Sequence, residues 1–206
     1  MKVYDFPGFP NPTRVRIALA EKGLTEKVEF VAVNVPEGEH KTPEFLSKNP
    51  TGLVPALELE DGTVIAECTA ITEYLDQLDG NTSLTGKTPK ERAVIHMMQR
   101  RAESNLFEAV ATYFHHATPG LGPEIETTQF PEWGEHQGEQ AVKGMHYFND
   151  VLEKQDYVAG DTFSVADITV IAGLKFAGFA NIDIPEDCTA LKDWHARVSS
   201  RPSLAA

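Results

Sequence analysis

Two short stretches have the residue types and spacing to recognise a small polar molecule. In Ala66-Glu67-Cys68-Thr69-Ala70-Ile71 an acid stands where a β run passes into a helical run. The first amides of a helix have no intrahelical acceptor, so the Cys68 N–H suits an anion while the Glu67 carboxylate suits an ammonium. A molecule carrying a carboxylate beside an ammonium, such as an amino-acid head, fits the pair. The same acid also fits a simpler role as complement to the helix dipole, and the residues alone leave both open. The second stretch is Asn49-Pro50-Thr51-Gly52-Leu53-Val54-Pro55-Ala56-Leu57. A proline directly before a strand suits an edge or a bend. If the Val54–Pro55 bond is cis, the Val54 N–H and C=O turn out of the sheet toward a ligand. A trans proline closing a loop is the commoner arrangement. Phe9, Phe107, Tyr113 and Phe114 could line an apolar pocket or fill a core. His115 and His116 are adjacent, and no cluster matches common metal-ligand spacings, so no metal is expected.

Those residues need elements to hold them. Lys2 to Phe6 and Val28 to Val33 read as short strands. Thr13 to Lys22 reads as a helix stopped by Gly23. Ala56–Leu59 and Thr63–Ala66 flank Glu60-Asp61-Gly62, a strong hairpin signal. Ile71, Tyr74, Leu75 and Leu78 follow at helical spacing. The order is β-α-β-α-β-β-α, a single mixed sheet covered by helices. Residues 80–88 read as a turn-rich linker, which gives a domain over 1–79 and an all-helical one over 89–206. Thr88-Pro89-Lys90-Glu91 is a capping box, launching a helix to about His115. Further helices are expected over Trp133–Lys154, over Ile168–Phe179 behind a second capping box at Ser164–Asp167, and over Ala190–Ser199.

Composition narrows the partners. The chain has 206 residues, 41% hydrophobic and 24% charged, with a net charge of −13. So acidic a surface repels phosphate backbones, and nucleic acid is not an expected partner. No apolar run reaches the ~20 residues that cross a bilayer, so no membrane partner is expected. The N-terminus shows no apolar signal segment. Two distant cysteines, Cys68 and Cys188, fit a reducing compartment, and a cytoplasmic protein is expected.

Together the motifs resemble the cytosolic glutathione transferase family over almost the whole chain. The resemblance rests on Asn49-Pro50-x-Gly52-x-Val54-Pro55-x-Leu57, Ile65-x-Glu67-Cys68-x-Ala70-Ile71, Gly38-Glu39-His40-x-x-Pro43-Glu44-Phe45, and Val158-Ala159-Gly160-Asp161-x-Phe163-Ser164-x-Ala166-Asp167. Arg14 to Lys22 and Tyr113-Phe114-His115-His116-Ala117-Thr118-Pro119-Gly120 are similar to an atypical fungal subgroup of that family. The resemblance implies a thioredoxin-like N-terminal domain and a helical domain. It implies glutathione as co-substrate, with no tightly bound cofactor, conjugated to a small hydrophobic electrophile, with a possible peroxidase side activity. It places the Val54 backbone on the cysteinyl part, with Pro55 cis. Glu67 and the Cys68 amide hold the γ-glutamyl head, and His40 and Lys41 lie near the glycyl carboxylate. Phe9 and Tyr113 are assigned to the electrophile pocket. A homodimer is implied, facing its twin through the helix that carries Ala93, Val94, Met97, Met98, Leu106 and Val110.

The chain departs from the family where the thiol is activated. Asp5 stands where some classes have tyrosine, and Gly8-Phe9-Pro10-Asn11-Pro12-Thr13 has neither serine nor cysteine. A thioredoxin-type redox enzyme needs a thiol at that turn, which argues against that chemistry. The expected sources of activation are the first helix N-terminus with Asn11 and Thr13 as donors, and His115 acting through water. Without an activating hydroxyl, a non-catalytic binding or assembly module on the same fold is the rival expectation.

Overall fold

Side-chain alternation along the first strand divides the N-terminal unit into two faces. In the computed structural model, which describes residues 1–204, β1 (Lys2–Asp5) sends Val3 to one side and Tyr4 to the other. Val3 joins Val15, Leu19, Leu57, Ile71 and Leu75 in a core covered by α1 (Pro10–Glu21) and α3 (Cys68–Gln77). Tyr4 joins Val33, Phe45 and Ala56 in a second core, to which α2 (Pro43–Lys48) contributes Phe45. Tyr4 is thus a core residue, its hydroxyl donating to Glu58 at 2.6 Å. With β2 (Glu29–Ala32), β3 (Ala56–Glu58) and β4 (Val64–Ala66) the sheet runs β2-β1-β3-β4. β2 is parallel to β1, and β3 is antiparallel to both β1 and β4. This is the thioredoxin-like order read from the sequence.

One boundary differs in a way that matters. α1 begins at Pro10, three residues before the expected Thr13, with Phe9 as its N-cap. Proline is tolerated in a first helical turn because those N–H groups have no intrahelical acceptor anyway. Phe9-Pro10-Asn11-Pro12 reads as a turn, yet most of it is helix.

The chain divides into one unit over Met1–Thr82 and a second from Ser83. Leu84, Thr85 and Gly86, from the stretch expected as linker, are buried, and the Leu84 carbonyl accepts the Val165 N–H at 3.1 Å. The last two residues of the expected helical domain lie outside the described residues.

The second unit opens with the Thr88–Glu91 capping box, both of its reciprocal bonds present, and α4 (Pro89–Ala102). The run continues through a π turn, Glu103–Phe107, into α5 (Glu108–Ala117). The expected helix therefore extends past His115, but with an inserted wide turn. α6 (Pro131–Leu152), α7 (Val165–Phe179) and α8 (Thr189–Ser199) complete the unit. α7 is apolar almost all round and buried, as such helices must be.

Glycines allow α6 to lie close to its neighbour. A Cβ on Gly134 would meet the Ala117 amide, and one on Gly144 would run into the Asn105 carbonyl oxygen in the π turn. Gly144→Ala is therefore expected to destabilise by about 2 kcal/mol or more through overpacking, despite the ~1 kcal/mol of helix propensity that alanine brings. Gly178, near the end of α7, has open space around it. Gly178→Ala should be neutral or stabilising. Thermal melts of the two variants check the contrast; equal melting temperatures would remove the close-approach argument.

Candidate functional site

Strand register gathers most of the predicted residues of the first unit at one end of its sheet. Ala56 pairs with Tyr4 on one side and with Ala66 on the other. Pro55 and Glu67, each one residue beyond a paired alanine, are thereby neighbours, and the chain leaving β1 at Asp5 emerges at the same end. The Val54–Pro55 bond is cis.

Asn49 builds the turn before that bond. Its side chain is buried, donates to the Leu53 carbonyl at 2.8 Å and accepts from the Thr51 hydroxyl at 2.9 Å. Gly52 has φ +62°, a conformation that disfavours a Cβ. A side chain there would also meet Lys41 Nζ and the His40 carbonyl at 2.9 and 3.0 Å. Lys41 donates to the Gly52 carbonyl at 3.3 Å. His40 and Lys41 are thus held directly against the turn that presents Val54. The His40 ring is buried with no partner on Nδ1, and burial, then Lys41, pushes its pKa below the usual histidine range. It is a neutral imidazole at neutral pH, and Lys41 brings the positive charge to this corner.

At the other side of the cis proline, Glu67 is the N-cap of α3 with φ +67° and ψ 124°. A non-glycine residue held there costs on the order of 1–3 kcal/mol and clusters at functional sites. Glu67 is exposed, so its carboxylate stands in solvent beside the first amides of α3. The Cys68 side chain does not face outward with it. It is buried, its Sγ lying 3.4 Å from the Asn11 carbonyl and 3.5 Å from Asn11 Oδ1. Of Cys68, the backbone amide is what a ligand could use.

Those contacts join the start of α3 to the start of α1. Asn11 Oδ1 also accepts from Arg14 at 3.1 Å. Because a guanidinium only donates, this fixes the amide orientation and leaves Asn11 Nδ2 to donate elsewhere. Pro10 and Pro12 have no N–H, so the Asn11 N–H is the one backbone donor among the first three helical positions. Thr13 was an expected second donor, but its hydroxyl donates back to the Phe9 carbonyl at 2.9 Å. Phe9 is half-buried and packs edge-to-face on Phe6 at 4.7 Å.

In the helical unit, His115 sits near the end of α5, its Nδ1 2.7 Å from Glu126 Oε1. Glu126 also accepts the Leu121 N–H at 2.9 Å. An acid on Nδ1 makes that nitrogen the donor and leaves Nε2 as acceptor or base. Tyr113 is half-buried, with Gly138 of α6 packed on its ring. Phe107 and Phe114 are core: both rings pack against Phe176.

The family model for the glutathione S-transferase N-terminal domain matches residues 10–78 and the one for the C-terminal domain residues 108–202. Glutathione S-transferase 2 of Saccharomyces cerevisiae is 60% identical over 99% of this chain and 88% of its own length. The chain belongs to the glutathione S-transferase family. The crystal structure of Gtt2 from Saccharomyces cerevisiae superposes with a TM-score of 0.98 at 60% identity, covering 100% of this chain and 99% of that one. A glutathione S-transferase domain-containing protein of Marinobacter aquaeolei superposes with 0.97 at 60% identity, covering 99% and 100%. As a glutathione transferase the chain is an enzyme of glutathione conjugation, and the expectation of a non-catalytic module gives way.

Proposed function

We propose that the end of the sheet where Val54, Pro55, Glu67 and Cys68 meet holds reduced glutathione for conjugation to a small, partly apolar electrophile. The carrying observation is the register of Ala56 with Ala66, which sets the Val54 backbone beside the Glu67–Cys68 corner. The Val54 backbone takes the cysteinyl part. Glu67 takes the γ-glutamyl ammonium, and the α3 amides take its carboxylate. Lys41, with His40 packed beneath, takes the glycyl carboxylate. Phe9 and Tyr113 are half-buried aromatics suited to an apolar substrate, and a peroxide is a second acceptor for the same thiolate.

A free thiol has a pKa of about 8.5 and is mostly protonated at neutral pH. Asn11 is the activating group in this reading, through its N–H and Nδ2. His115 assists by water-mediated proton transfer, and the support for it is its Glu126-oriented ring. Asn11→Ala should raise the bound thiol pKa by about one unit, worth roughly 1.4 kcal/mol, and slow conjugation of a reactive aromatic chloride about tenfold at neutral pH. His115→Ala should slow turnover without moving that pKa. Ultraviolet absorbance of the bound thiolate reads the first effect. If the double variant keeps both pKa and turnover, neither side chain is catalytic.

A homodimer in the cytoplasm completes the proposal. Of the apolar residues expected at the partner, Met98, Leu106 and Val110 are buried within the unit itself. Ala93 and Met97 of α4 are exposed, Met97 by 43%, and Leu53 of the first unit by 57%. Sedimentation should give a dimer at micromolar concentration; monomer alone would end this part of the proposal. Cys68 and Cys188 are not joined in a disulfide, which suits a reducing compartment.

A further inference from the structure

Within the helical unit three side chains of metal-ligating chemistry converge that none of the preceding reactions uses. His146 comes from α6, and Asp187 and Cys188 from the turn that enters α8. Cys188 Sγ lies 3.3 Å from His146 Nδ1, and His146 Nδ1 lies 3.9 Å from Asp187 Oδ2. All three ligand atoms fall within 4.8 Å of one another, the one such group among the described residues. We propose that His146, Asp187 and Cys188 form a binding site for a borderline-soft divalent cation, with zinc as the type ion.

The donor set makes the choice. Thiolate, imidazole and carboxylate together suit zinc, whereas magnesium and calcium sites are built from oxygen. The distances agree. A tetrahedral ion with bonds of about 2.3 Å to sulfur and 2.0–2.1 Å to nitrogen holds those two atoms roughly 3.5 Å apart. The observed 3.3 Å between Cys188 and His146 is already close to that spacing. Asp187 is farther out, but its side chain is 76% exposed and free to swing inward. Three protein ligands leave a fourth position for water.

The frame is fixed before any ion arrives. Cys188 is fully buried as the N-cap of α8. Its N–H donates to the Pro185 carbonyl and its carbonyl accepts the Lys192 N–H, both at 3.1 Å. Asn149, three residues after His146 on α6, accepts the Leu191 N–H at 3.2 Å and so ties α6 to the first turn of α8. His146 is half-exposed, which gives the ion an entry path. The charged groups facing Cys188 are Asp187 and Asp150, which favour a cation, and Lys192, which opposes one. On binding, the Cys188 proton leaves to solvent as the sulfur–metal bond forms. The bound ion would clamp α6 to α8.

The full-length chain, stripped with a chelator, should bind one zinc ion per chain in calorimetry and melt at a higher temperature with zinc present. Cobalt should give the thiolate-to-metal charge-transfer absorption that only a cysteine ligand produces. Cys188→Ser should abolish that absorption, and Cys68→Ser should leave it. His146→Gln, at a half-exposed position that tolerates change, should weaken zinc binding by at least about tenfold. Absence of stoichiometric zinc binding would overturn the proposal. So would binding undiminished in both His146→Gln and Cys188→Ser, which would assign the ion to the acidic surface.

Discussion

Glu67→Gln is expected to weaken glutathione binding by about tenfold to a hundredfold while the fold stays intact. The substitution keeps the size and the backbone preference of the residue and removes only its charge. A charge-assisted hydrogen bond to the ligand ammonium contributes roughly 1.5–3 kcal/mol, and each 1.4 kcal/mol is about tenfold in affinity. Among the described residues the fold does not lean on the carboxylate, because Glu67 is exposed and makes no side-chain cap to α3. The backbone separates the two roles further. At φ +67° a glycine would relieve on the order of 1 kcal/mol of strain. Glu67→Gly should therefore bind glutathione as poorly as Glu67→Gln yet melt no lower than the parent chain. Calorimetric titration with glutathione and a thermal melt of each variant read both quantities. Unchanged affinity in Glu67→Gln would remove Glu67 from the site.

How much of this was legible in the sequence depends on the length scale of each feature. The Asp61-Gly62 hairpin and the two capping boxes are local, set by residues within a turn of one another, and they form where their signals stand. The strand alternation that sends Val3 and Tyr4 to opposite faces is equally local. The start of α1 at Pro10 is not legible, because proline signals both a turn and a first helical position, and only packing decides between them. That choice changes the chemistry: with Pro10 and Pro12 inside the helix, Asn11 has the one backbone N–H of the first three helical positions. Thr13 was misassigned because a hydroxyl at that helical position finds the carbonyl four residues back. The positive φ of Glu67 has no sequence signal, since a glutamate is a poor candidate for that conformation. The π turn in the long helix is tertiary as well, lying where Gly144 meets Asn105. His146 and Cys188, 42 residues apart, match no ligand spacing and meet where α6 packs on α8, a contact that Asn149 helps to tie.

Asp167→Asn is expected to be strongly destabilising. Asp167 is fully buried at the start of α7. One carboxylate oxygen accepts the Val158 N–H at 2.9 Å. The other accepts the Ser164 N–H at 2.9 Å and the Ser164 hydroxyl at 3.0 Å. Burial pushes this carboxyl up to about 6, with the Val158 and Ser164 donors pulling it back. It is therefore still an anion at neutral pH, and acceptor-only at both oxygens. Asparagine has the same shape but a single acceptor oxygen, so its NH2 must face either Val158 or Ser164. Each choice sets donor against donor where no water can intervene. A buried donor left unmade costs about 1–3 kcal/mol, more where a charge was its partner. The total expected for Asp167→Asn is about 3–5 kcal/mol. At roughly 2–4 °C per kcal/mol for a chain of this size, the melting temperature should fall by about 6–20 °C. Ser164→Ala removes the hydroxyl that donates to Asp167 and caps the Asp167 N–H, but leaves the Val158 and Ser164 N–H groups on the carboxylate, so it should cost only about 1 kcal/mol. The ratio between the two variants is the diagnostic, because loss of helix capping alone would make them equal. Equal melting temperatures for Asp167→Asn and Ser164→Ala would show that the acid acts only as a cap, and not as the acceptor that joins the Val158 loop to α7.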